Sequence, residues 1–195
     1  MKKVKIFMLV LLILSGFILI NPLTLQAKDV NVGLSINDGK ITHFYLAIGD
    51  YYRIPVERVI IIKKRYPIII EEELPIIFII TRERGIEPDL IIQLREKGYS
   101  WYNIMIHFGL YPEIIFKPII TGPPYGKAWG YYKYHPKRGK IIFFTDREII
   151  ELTNIKFLTE YYHTDPKTIM NFKNKYPKFI DINEIFFNIH KKEKK

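Results

Sequence analysis

Three windows of this chain align without a gap: IPVERVIIIKKRY at 54–66, IEPDLIIQLREKG at 86–98 and TDPKTIMNFKNKY at 164–176. Each carries a proline at its second or third place. Each is apolar at places six, seven and nine (Val59, Ile60, Ile62; Ile91, Ile92, Leu94; Ile169, Met170, Phe172). Each has a cation at places ten and twelve (Lys63, Arg65; Arg95, Lys97; Lys173, Lys175). Proline is tolerated in the first turn of a helix, whose N–H groups are free anyway. Late cations answer the free carbonyls and the negative end of the helix dipole. Every window therefore reads as one short helix with a core face. That reading of the paired cations is preferred here to an anion site.

An apolar-rich segment precedes each window, as in HFYLAIGDYY, PIIFIITRERG and IKFLTEYYH. The repeating unit is thus helix, turn, helix, with copies near 42–66, 71–98 and 146–176. Such units bury their apolar faces against one another. The expectation is a mainly α fold of short helix-turn-helix repeats in one helical domain over 28–190, ending in a basic tail at 191–195. Runs such as VIII, PIII and PIIFII are β-branched, which leaves a minor β contribution open.

Local signals agree with helices. Gly85, Gly98 and Gly109 follow apolar segments as stops. Ser100 precedes WYNIMIH as an N-cap, and Trp101, Ile104, Met105 and Phe108 share a face. Thr145 and Glu148 match a capping box. Asp165-Pro166 opens another helix, and Asp181 to His190 reads as a last one. Glu71-Glu72-Glu73 reads as a helix start with a solvated face rather than an acid/base pair.

The repeats are interrupted at 117–140, where TGPPYGKAWGYYKYHPKRGK fills 121–140. Connections this long without helical signal are uncommon unless functional or disordered, and the many aromatics argue against disorder. The stretch supplies the candidate binding residues Pro123, Pro124, Tyr125, Gly126, Lys127, Trp129, Tyr131 and Tyr132, with Tyr134 beside them. Aromatic faces can stack on sugars or pack on a protein, and Lys127 can meet a carboxylate or phosphate. The bland alternative is that these aromatics pin a loop onto the helices.

The N-terminus reads as an export signal over 1–27. Lys2, Lys3 and Lys5 precede an apolar run from Ile6 to Ile20, and Leu25-Gln26-Ala27 offers a cleavage site. The run is shorter than the roughly 20 residues that span a bilayer. An uncleaved membrane anchor is the alternative; otherwise membrane contact is limited to this segment. The expected location is the periplasm or the exterior.

The formal net charge is +10. Residues 1–27 contribute +3 and the tail KKEKK another +3, so the body is only mildly basic. No nucleic-acid partner is expected. LIIQLREKGYSWYNIMIHFGL has the outline of a DNA-binding helix-turn-helix, but its second helix, WYNIMIHFG, lacks Arg and Lys. The chain has no Cys, which excludes disulfides and thiol chemistry. Its five histidines never pair at i,i+3 or i,i+4, so no metal site and no cofactor are expected. No P-loop, Gly-x-Ser-x-Gly or dinucleotide fingerprint occurs.

YYRIPVERVIIIKKRYP and YYHTDPKTIMNFKNKYP resemble the helical core of LysM peptidoglycan-binding modules, although the flanking strands of that family are not evident. More broadly, IPVERV, LREKGYSW, GPPYGKAWG and TNIKFLTEYY resemble segments of a family of exported bacterial proteins to which no activity is assigned. That resemblance implies an envelope or secreted protein. The expected function is a non-enzymatic binding or scaffolding domain whose partner is an envelope protein or a cell-wall polymer. A peptidoglycan or glycan module, and an envelope hydrolase using Glu and His, are the alternatives.

Overall fold

The computed structural model describes residues 39–120 and 144–193. Helices run over Gly39–Tyr52 (α1), Val56–Arg65 (α2), Leu74–Arg84 (α3), Pro88–Glu96 (α4), Trp101–His107 (α5), Pro112–Ile115 (α6), Lys117–Ile120 (α7), Asp146–Tyr161 (α8), Pro166–Lys175 (α9) and Phe179–Glu193 (α10). A single 3-10 turn at Glu71–Glu73 leads into α3. The described residues contain no strand, so the β-branched runs are helical or lie in short connections. The interruption expected from 117 begins with a helical turn, α7. Residues 1–38, which include the leader at 1–27 and the start of the expected helical domain, and the stretch at 121–140 lie outside the described residues, as do 141–143 and the final Lys194 and Lys195.

The three windows fall on α2, α4 and α9, and each follows a partner helix: α1, α3 and α8. The repeat extends to backbone detail. The residue just before each window has positive φ: Arg53 at 57°, Gly85 at 66° and His163 at 50°. This left-handed residue ends the first helix of each pair and turns the chain into the second. In the first and third pairs the next amide, of Ile54 and Thr164, donates back to the carbonyls of Gly49 (2.8 Å) and Thr159 (3.1 Å). Place six (Val59, Ile91 and Ile169) is fully buried in all three copies, and place nine lies in or against the same core.

The tenth-place cations have a shared role. Lys63 donates to the Pro67 carbonyl at 3.2 Å, Arg95 to Tyr99 at 3.1 Å, and Lys173 to Pro177. Each thus bonds the carbonyl four residues on and fixes the exit of its helix, as dipole and free carbonyls require.

The local caps are formed as the residues dictate. Ser100 Oγ accepts from the Asn103 amide, Thr145 and Glu148 form a reciprocal capping box, and Asp165 accepts from Thr168. Trp101, Ile104 and Met105 are fully buried. α1 packs on α2, α3, α8 and α10, and α8 packs on α3, α5 and α9.

Glu71, Glu72 and Glu73 depart from expectation. They do not form a solvated face; they point into the seams between the repeats. Glu71 stands 3.5 Å from Lys63 of the first copy. Glu72 accepts from the Phe179 amide and feels Lys173 of the third copy. Glu73 is 5% exposed and accepts from Arg95 of the second copy at 3.1 Å, from Trp101 Nε1 at 2.7 Å and from the Ile70 amide at 3.0 Å. One turn of acids therefore meets the tenth-place cation of every repeat.

Candidate functional site

The first and third copies, 110 residues apart in register, exchange hydrogen bonds. Tyr51 donates to Glu160, and Tyr161 donates to Asp50 at 3.1 Å. Asp50 and Glu160 hold equivalent places, as do Tyr51 and Tyr161. A reciprocal exchange of this kind is what a local two-fold axis produces. Burial foremost, then the neighbouring carboxylates, push both phenols up to about 12. Arg82, at the corresponding place of the second copy, lies over the rings of Tyr51 and Tyr52 at 5.0 and 5.1 Å.

Beside this exchange an open pocket of about 650 Å³ sits at the α1–α2 turn. Leu46, Ile54, Pro55 and Val56 form its apolar wall, and Asp50, Arg53 and Tyr161 supply its polar groups. Leu46 is 43% exposed, which is high for a leucine beside a core. Gly49 shapes the base. A Cβ there would lie 2.9 Å from the Ile54 carbonyl oxygen and 3.4 Å from Val56 Cα. Glycine thus lets the turn close down onto α1.

The polar groups are differently committed. Asp50 holds the Tyr161 hydroxyl. The Arg53 side chain has no hydrogen bond or ion pair among the described residues. The pocket therefore presents a cation, a carboxylate and a phenol beside an apolar wall, a set suited to recognition.

A second polar cluster joins α1 to α10. His43 Nδ1 lies 2.6 Å from Glu184 Oε2, and the imidazole stacks on Phe187 at 3.8 Å. Asn188 donates to Glu184 at 2.8 Å, and Lys40 pairs with Asp181 at 2.8 Å. Burial pushes the Glu184 carboxyl up, but the bonds from His43 and Asn188 outweigh it and hold the group below its ordinary value. These residues do not line the pocket.

Among the described residues no group of three or more His, Cys, Asp or Glu is placed to hold a metal ion. No described helix is long and apolar enough to cross a membrane.

The candidate residues Pro123, Pro124, Tyr125, Gly126, Lys127, Trp129, Tyr131 and Tyr132 all lie outside the described residues. The pocket residues Leu46, Asp50, Arg53 and Tyr161 were not singled out from the sequence. Their one signal is the acid-Tyr-Tyr triplet, Asp50-Tyr51-Tyr52 and Glu160-Tyr161-Tyr162, ahead of the first and third windows. Comparison of the chain with protein-family models, curated proteins and solved structures finds no match.

Proposed function

We propose that this chain is an exported cell-envelope protein whose helical repeats serve as a binding or scaffolding frame rather than as an enzyme. The observation that carries the binding half is the pocket at the α1–α2 turn, where the Arg53 side chain has no partner among the described residues and stands beside an exposed leucine. Elsewhere many of the frame's charges join repeat to repeat, as Lys63, Arg95 and the three glutamates do. The export half rests on the N-terminal lysines, the apolar run and the small residue at Ala27. The partner is an envelope protein or a cell-wall polymer, and the Tyr-rich stretch at 121–140 remains a second contact candidate.

Expression of the full chain with a C-terminal tag in a bacterial host tests the export half. The tag is expected outside the cytoplasm, on a species shortened by residues 1–27; a wholly cytosolic product would sink it. Crosslinking in intact envelopes and co-sedimentation with isolated sacculi test the binding half. Retention on sacculi that free glycan competes away favours the glycan-module reading. A discrete crosslinked protein favours the scaffold.

A hydrolase reading has one observation behind it, the 2.6 Å His43–Glu184 pair. It requires that His43→Ala abolish an envelope-directed hydrolysis while the fold survives.

A further inference from the structure

We propose that the pocket at the α1–α2 turn takes a short zwitterionic peptide, its amino end at Asp50 and its carboxylate at Arg53. The inference rests on the reading of this pocket as a binding site.

Asp50 and Arg53 are three residues apart around the end of α1, and both line the same pocket. They form no ion pair with each other, so their charged atoms stand farther apart than the 4.0 Å of such a pair. Oppositely charged neighbours that do not close on each other leave a gap for a ligand of matching polarity. An anion alone would answer Arg53 and leave Asp50 facing it. A cation alone would do the reverse. A dipeptide extends to roughly 7 Å, farther than the 4.0 Å limit of a direct pair, and can present one charge to each group.

The remaining groups suit the body of such a ligand. The Tyr161 hydroxyl donates to Asp50 and so orients the carboxylate. Guanidinium is a planar fork matched to a terminal carboxylate. Leu46, Pro55 and Val56 offer an apolar wall for a side chain, with Leu46 already 43% exposed. The volume of about 650 Å³ is ample for two residues and lies within the range of small-ligand sites, roughly 300–1,000 Å³.

The test is a titration of the full chain with three compounds: alanyl-leucine, N-acetyl-alanyl-leucine and alanyl-leucinamide. The first carries both charges, the second only the anion and the third only the cation. Wild type is expected to bind the free dipeptide best and each blocked form about tenfold more weakly. In Arg53→Gln the preference for a free carboxylate disappears, while the preference for a free amine remains. In Asp50→Asn the pattern reverses. Thermal melts of both variants, expected near wild type, separate lost recognition from lost folding. Equal binding of all three compounds overturns the zwitterion proposal yet leaves a binding pocket standing. No saturable binding of any compound overturns both.

Discussion

Glu73 has three donors and almost no water. Arg95, Trp101 Nε1 and the Ile70 amide all point at its carboxylate. Removing it leaves the Trp101 indole N–H and the Ile70 amide without their acceptor, at about 1–3 kcal/mol for each buried donor, while Arg95 keeps Asp146 and the Tyr99 carbonyl. Glu73→Ala is expected to lower the melting temperature by about 10 °C or more, whereas Glu73→Gln, which can still accept from Trp101, loses less. Glu72 behaves in the opposite sense. Burial, against the opposing pull of the Phe179 amide and Lys173, holds its carboxyl above the ordinary 4.5. A carboxyl raised in the folded state contributes stability below its unfolded value, and that contribution is lost as pH rises through the folded value. Glu72→Gln is therefore expected to melt higher than wild type at neutral pH, with the gap closing in acid. A melt series from neutral to acid pH checks both size and sign.

At the scale of the element, the decisive unit is the turn inside each repeat. Its left-handed residue is Gly85 in one copy but Arg53 and His163 in the others. A side chain in this conformation costs roughly 1–2 kcal/mol, while glycine gives part of that back through the freedom of the unfolded chain. His163→Gly and Arg53→Gly are each expected to gain about 0.5–1 kcal/mol, and Gly85→Ala to lose about 1, by urea denaturation. Arg53→Gly also removes the pocket's cation, so added stability and weaker peptide binding should appear in one variant. Gly49→Ala is expected to lose about 1–3 kcal/mol, because the new methyl meets the backbone of Ile54 and Val56 rather than a side chain that can swing away. Helix identity, caps and stops were legible because Ser100, Thr145, Asp165 and Gly85 act on neighbours within a few residues. The inward turn of Glu71–Glu73 was not. Its partners, Arg95, Trp101 and Phe179, lie 22, 28 and 107 residues away, and nothing local distinguishes an acid facing them from one facing water.

At the scale of the whole molecule, the exchange between Tyr51–Glu160 and Tyr161–Asp50 joins the first and third repeats. Both phenols are raised to about 12 in the folded chain from an ordinary 10.0. Their contribution is complete below about 10 and is lost as pH rises through about 12. The wild type is expected to lose stability over that alkaline interval, followed by phenolate absorbance together with helix content. A Tyr51→Phe, Tyr161→Phe double variant should start lower, by about 1 kcal/mol per hydroxyl, and show a flatter loss. The repeat was legible from proline, apolar and cation places alone. The pocket was not, since it arises where the turn of one copy meets a tyrosine of another 110 residues on, a juxtaposition that composition does not encode. The same long-range pairing has a consequence for how the chain must be joined. α1 packs against α8 and α10, and α3 packs against α8, so the segments before residue 121 and after residue 143 share one core. A covalent link between them holds each at a high effective concentration for the other. Two separately produced pieces, split between those positions, are expected to reassemble on mixing at high enough concentration, read as helix content regained over that of the separate pieces.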